Sequence, residues 1–385
     1  MLTLKPRMYT PGPVEVPPEV LLAMARPVIH HRTPAFAALF DRVRRALART
    51  FLVPGEVLVL AGSGTAAMEA LAATCLREGD EVVVGVAGRF GERWLEIAAR
   101  LRLRVHPVEE EWGRALDPGR LAGAVRAHPA ARALLLTHSE TSTGVLHDLE
   151  AITREIAGGE TLVFADAVTS LGATELQPAL WGVDGVVSGS QKALMCPPGL
   201  AFATLSERAW ELARRPGGRA FYLDLVAERE AQADGATAFT PAVSLINGLE
   251  TALALLHAEG LESSWNRHHR LTAALRAGLE AAGCQAISQR QGPACVAVKP
   301  PPGIAAGAVI AWLRDHGVTI AAGQGRLTGQ ILRVSLMGRH DDLDTLTALA
   351  ALEAALRECG APIPRGTAVA AGWTALAEPG PAGNE

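Results

Sequence analysis

The chain has 385 residues, 49% of them apolar, and a net charge of −4 with acids and bases interspersed. That balance gives neither the basic footprint of a nucleic-acid binder nor a polybasic membrane patch, and no apolar run reaches the ~18 unbroken residues of a membrane span. The length allows two domains and a large core, and the first residues, which meet proline early and lack an apolar h-region, do not read as a secretory signal.

Short β-branched runs then alternate with helical stretches. "VLVLAG" (57–62) precedes "TAAMEALAATCL", and "EVVVGV" (81–86) precedes "GERWLEIAARL". The runs "RALLLTH" (132–138), "TLVFADA" (161–167), "GVVSGS" (185–190) and "LAFATL" (200–205) follow. Continuous apolar strands separated by helices predict an α/β fold whose sheet is mostly parallel and covered on both faces. Ligands of such sheets gather beyond the carboxyl ends of the strands. After about residue 255 the pattern changes to a long helical stretch (249–283), the strand-like "PACVAVKPP", a helix near 305–316, "VTIAAG", "ILRVSLMG" and a last helix at 341–359. This predicts a smaller α+β domain. Residues 1–15 read as an N-terminal segment, 16–255 as the large domain, 256–365 as the small one and 366–385 as a flexible tail. Cys75, Cys196, Cys284, Cys295 and Cys359 are scattered without a CxxC pair, which suits a reducing cytoplasm and argues against a structural zinc site built on cysteines.

Several of these strand ends carry residues with chemistry in them. Lysine occurs only at 5, 192 and 299, the other basic residues being arginine. Lys192, among Ser, Gly and Ala, is therefore either a surface charge or an amine kept because arginine cannot lose its proton and attack a carbonyl. "LAGSGTAAMEA" places Ser63, Gly64 and Thr65 where a strand ends and a helix starts, which is an anion site or an ordinary helix cap. Asp166 follows an apolar strand and needs a cation or a set of donors, or else is an N-cap. "THSETSTGVLHDL" brings Thr141 into a dense run of hydroxyls. Phe90 lies between glycines at a strand end, to cover a flat ring or to pack in the core. Arg333, inside an apolar strand, calls for a carboxylate, either internal or a substrate's. A phosphate site, an acid for a ring nitrogen, a ring stacker, a lysine for an aldehyde and an arginine for an α-carboxylate together match the groups of pyridoxal 5′-phosphate and an amino acid.

Collinear motifs over nearly the whole chain carry a resemblance. They run from "YTPGPVEVPPEVLLAMARPVIHHRTPAF" through "AGSGTAAMEA", "GRFGERW", "HSETSTGV", "FADAVTSLG" and "SGSQKAL" to "GQGRLTGQILRVSLMG". The sequence resembles the class V aminotransferases of fold type I, in the alanine–glyoxylate, serine–pyruvate and serine–glyoxylate group, whose members include proteins labelled soluble hydrogenase small subunit. The resemblance implies a large domain built on a mostly parallel seven-stranded sheet, a smaller C-terminal α+β domain and a homodimer. It implies Lys192 as the Schiff-base lysine, Gln191 as a phosphate ligand and Asp166 as the partner of the pyridine nitrogen. Val168 would lie under the ring and Phe90 above it, Ser63, Gly64 and Thr65 would cradle the phosphate, and Thr141 would sit near the ring oxygen. Arg333 would anchor the substrate carboxylate with backbone around Gly12, and Thr240 would serve the phosphate site of the dimer partner. Thr237 stands where some relatives have tyrosine, and Phe90 where some have tryptophan. The implied reaction is ping-pong transfer of an amino group from alanine or serine to glyoxylate or pyruvate. Two other readings are a cysteine desulfurase-like lyase and a non-catalytic hydrogenase-associated subunit.

Overall fold

A computed structural model describes residues 5–218 and 220–377. Seven strands form the central sheet: β1 (Leu58–Gly62), β2 (Glu81–Val86), β3 (Arg104–Glu109), β4 (Ala131–Thr137), β5 (Leu162–Asp166), β6 (Gly185–Gly189) and β7 (Gly199–Leu205). Their order across the sheet is β1-β7-β6-β5-β4-β2-β3. Strands β3, β2, β4, β5 and β6 run parallel, while β7 runs antiparallel to both of its neighbours, β1 and β6.

Alternation along the strands feeds two apolar layers, one on each face. Val59, Val83, Leu134, Leu136, Val163, Val186 and Phe202 enter one layer. Leu58, Leu60, Val82, Val84, Leu135, Phe164 and Val187 enter the other. The apolar runs had not revealed β3: only Val108 in it is buried, Arg104, Pro107 and Glu109 are exposed, and an edge strand permits the proline.

Helix α1 (Gly64–Cys75) follows β1, and α2 (Arg89–Arg100) follows β2. The single helical stretch expected over 249–283 is two helices, α3 (Val243–Glu259) and α4 (Leu261–Ala281). Gly260 separates them with a φ of 88°, a conformation that residues with a Cβ rarely take. Beyond them a four-stranded antiparallel sheet is built on Val296–Lys299 and Leu332–Val334 at its centre, with Gln285–Ala286 and Ala321–Ala322 at its edges. Arg7–Met8 adds a short parallel ladder to Val318–Thr319, so the N-terminal segment joins this part of the molecule.

Helix α5 (Asp342–Glu358) starts in a capping box: the Asp341 side chain accepts from the Asp344 N–H, and the Asp344 side chain accepts from the Asp341 N–H. The flexible tail expected from residue 366 needs correction. Thr367–Ala377 forms helix α6, which packs along α4 and α5 and buries Ala368 and Leu376. Composition misled because its alanines are good helix formers and its glycine serves packing: at Gly372 a Cβ would strike Leu349. The remainder of that tail, 378–385, lies outside the described residues. Among the described residues no helix is long and apolar enough to cross a membrane.

Candidate active site

The carboxyl ends of β1, β2, β4, β5 and β6 open onto one cavity of about 170 Å³. Ser63, Gly64, Thr65, Phe90, Thr141, Asp166, Val168, Gln191 and Lys192 all line it. Gly12 and Arg333 border it through contacts given below. Thr240 does not reach it: this residue is exposed, in a separate depression with Val59, Tyr222 and Phe239.

Lys192 sits in a tight turn after β6, closed by the Met195 N–H donating to the Lys192 carbonyl at 2.8 Å. Its Nζ donates to the Pro11 carbonyl at 2.7 Å, and the Val14 N–H donates to the Gln191 carbonyl, which ties the N-terminal segment over the lysine. Gly12 is required there, since a Cβ on it would overlap Nζ. Burial pulls the ammonium down from the usual lysine value to about 8; Asp166 opposes that shift, and Arg333 and Arg93 add to it. A large part of this amine is therefore neutral and nucleophilic near pH 8.

Asp166, the last residue of β5, is buried and accepts from the Val168 N–H at 2.8 Å. Burial lifts its carboxyl to about 6, while the Val168 donor and the charges of Arg93 and Lys192 hold it lower than burial alone would. It stays mostly ionised at neutral pH and can accept from a cationic donor placed above it. At the start of α1, Ser63 makes no side-chain cap, so the first-turn N–H groups have no side-chain acceptor. A Cβ on Gly64 would overlap Val168, which brings this turn against the residue next to the acid. The Oε1 of Gln191 is buried without a hydrogen-bond partner.

Arg333 is 5% exposed; its Nε donates to the Ala322 carbonyl at 2.8 Å and its Nη1 to the Thr141 carbonyl at 3.0 Å. Among the described residues no ion pair joins it to a carboxylate. Two backbone carbonyls fix the plane of the guanidinium and leave its charge for an incoming anion.

Four further residues line the cavity: Met68 and Ser139, which the sequence placed beside these turns, and Arg93 and Thr169, which it passed over. Arg93 is the consequential one. Its Nη1 donates to Thr65 Oγ1 at 3.0 Å and its guanidinium lies over the Phe90 ring, 4.7 Å from the centroid. The signal was present in "GRFGERW": Phe90 and Arg93 stand three apart on one helix and share a face. Glu140 was missed as well. It is buried, and it accepts from the N–H groups of Phe90 (3.0 Å), Gly91 (3.1 Å) and Ser142 (3.2 Å) and from Ser142 Oγ (2.5 Å). It thus holds the start of α2, and with it Phe90 and Arg93. Burial pushes the Glu140 carboxyl up while these donors pull it down. Replacing Glu140 with alanine strands buried donors and is expected to lower unfolding free energy by about 3 kcal/mol in a urea titration; a loss below about 1 kcal/mol contradicts this account of α2.

The class-V aminotransferase family model matches residues 19–344. The chain is 41% identical over 362 residues to the soluble hydrogenase small subunit of Synechococcus sp. (strain PCC 6716), covering 92% of this chain and 94% of that protein. It is 31% identical over 389 residues to the serine–glyoxylate aminotransferase of Methylorubrum extorquens, covering 96% of each. A crystal structure of an aspartate aminotransferase of subgroup IV from Thermus thermophilus superposes with a TM-score of 0.86 at 40% identity, over 91% of this chain and 99% of that one. The family and the α/β fold read from the motifs are thereby borne out: the chain belongs to the class V aminotransferases.

Proposed function

We propose that the protein is a pyridoxal 5′-phosphate-dependent transaminase of the cytoplasm. It moves an amino group from alanine or serine to glyoxylate or pyruvate by ping-pong kinetics, the first oxo acid leaving before the second binds. The carrying observation is that a buried amine of lowered basicity, a buried carboxylate and an uncapped helix start meet in one cavity.

These residues fit the cofactor. Lys192 would hold its aldehyde carbon, Asp166 its ring nitrogen, and Phe90 and Val168 the two faces of the ring. Thr141 would lie beside the ring oxygen. Ser63, Gly64, Thr65 and Gln191 would take the phosphate, and Arg93, hydrogen-bonded to Thr65, brings a cation to that end. When bound, the cofactor supplies an electron sink that makes the α-proton of an amino acid removable. The chain's own work is orientation and proton transfer. Arg333 holds the substrate carboxylate beside the Thr141 carbonyl, next to Gly12 and the N-terminal segment. Lys192 Nζ would accept the α-proton and then deliver it to the cofactor's former aldehyde carbon, acting as base and then as acid. Thr240, exposed and away from its own chain's cavity, would complete the phosphate site of a second subunit in a homodimer.

Burial argues against a thiol-based lyase at four of the five cysteines, pushing the thiols of Cys75, Cys196 and Cys284 up to about 12 and that of Cys295 to about 11, while Cys359 ends α5 packed against the core of the small domain. The hydrogenase-subunit reading leaves Lys192, Asp166 and Arg333 converging for no purpose. Single-turnover reactions with alanine, serine and aspartate, each followed by glyoxylate, test the proposal through the oxo acid and glycine formed. Conversion of alanine or serine is expected; aspartate alone would reassign the donor, and none at all would remove the activity. Arg333→Leu is expected to lower kcat/KM for the amino acid by about 10²-fold, mostly through KM, because a desolvated charge pair is lost. An unchanged KM would show that the carboxylate binds elsewhere.

A further inference from the structure

We propose that Glu81, His106 and His128 form a binding site for a divalent transition-metal ion, at the end of the sheet opposite the cavity. Glu81 is the first residue of β2, and β2 lies between β3 and β4. On one side the parallel register pairs Glu81 with Arg104 and Val83 with His106, so His106 projects on the same face as Glu81, one step along. On the other side Glu81 pairs with Ala131, whose N–H donates to the His128 carbonyl at 2.9 Å. Two strands and the end of the helix Pro118–Ala127 thus deliver three side chains to one point.

The ligand atoms of all three lie within 4.8 Å of one another, and all three residues are half-buried. His106 Nε2 is 3.1 Å from Glu81 Oε2. The His106 and His128 rings stack with centroids 3.5 Å apart and planes 11° from parallel. Arg104 pairs with the second oxygen, Glu81 Oε1, at 3.0 Å, which leaves Oε2 on the imidazole side.

A metal bound here at about 2.0–2.2 Å requires the atoms to draw closer and the stacked rings to turn until their lone pairs converge. Half-exposed side chains on fixed backbone can make that adjustment. Two imidazoles and one carboxylate form a borderline donor set, suited to Zn²⁺, Co²⁺, Ni²⁺ or Cu²⁺ and poorly suited to Mg²⁺ or Ca²⁺, which prefer all-oxygen sites. Three protein ligands leave water in the remaining positions. Remote from Lys192, the ion would clamp the edge strand β3 to β2 and to the chain entering β4, stabilising the folded state by mass action.

The test is titration of the chelator-treated holoenzyme with ZnCl₂ by calorimetry, with thermal melts at each zinc level and MgCl₂ as the control ion. The parent is expected to take up one zinc per chain that His106→Ala and His128→Ala each weaken at least tenfold, and to melt higher with zinc but not with magnesium. His128 follows the last turn of the helix Pro118–Ala127 and stands outside the active site, so His128→Ala is expected to match the parent in metal-free melting and transamination. The proposal is overturned if the parent binds no zinc, or if both variants bind it as the parent does.

Discussion

Replacing Lys192 with alanine is expected to lower the turnover number by about 10³-fold or more, with the fold and the phosphate cradle intact. The variant loses both the covalent tether and the base that moves the α-proton, and general acid–base catalysis alone contributes about 10²–10⁴-fold. Lys192→Arg separates charge from chemistry. It keeps a cation near Asp166 but cannot lose a proton, so it should be as inactive as the alanine variant. The amine titrates at about 8 because it is buried, so the rate at which cofactor-free protein captures pyridoxal 5′-phosphate should rise with pH and level off just above 8. An ordinary lysine would keep gaining rate to well above pH 9. Stopped-flow capture rates between pH 6 and 10 distinguish the two, and an Arg variant with substantial turnover would remove Lys192 from its role.

Asp166→Asn is the second large expected effect, a fall in kcat of about 10²–10³-fold, the range seen when one preorganised electrostatic contact is removed. Asparagine keeps the shape and can still accept from Val168, but carries no charge to hold a proton on a ring nitrogen. The protein should therefore still bind cofactor while losing turnover, and Asp166→Glu should recover part of the loss. Burial raises this carboxyl to about 6, so cofactor-free protein should bind the cofactor more weakly as pH falls through 6. Once the site is filled, the cationic ring nitrogen draws that value down, and activity should persist to lower pH than cofactor binding by the empty protein. Binding curves at pH 5 and 8, beside kcat for the three proteins, check each part. An Asn variant with parental kcat contradicts the assignment.

The strand ends were legible because each apolar run stops at a residue that has no place in a core: Ser63, Asp166 and Lys192. What the sequence obscured has a physical cause in each case. Strand β3 is an edge with only Val108 buried, so the apolar signal fades. Gly260 splits a helix whose apolar positions continue on both sides. Helix α6 looked like tail because small residues carry little patterning, although their smallness is what lets it lie against α4 and α5. In the site, Arg93 was hidden because a helix arginine ordinarily points to water. Only its spacing from Phe90 placed it over the cavity. Glu140 was hidden among hydroxyls, and its part is clear only once the N–H groups of Phe90 and Gly91 at the start of α2 are seen to donate to its carboxylate. Thr240 was reached through family likeness alone, and nothing within one chain brings it to the cavity.

The most direct measurement is reduction of the purified, cofactor-loaded protein with borohydride, followed by digestion and mass analysis of the peptide containing "SGSQKALMCPPG". The account predicts that visible absorption bleaches and that one phosphopyridoxyl mass is added on Lys192 and on neither Lys5 nor Lys299. Protein that binds the cofactor but shows no adduct on Lys192, or carries it on another lysine, contradicts the account.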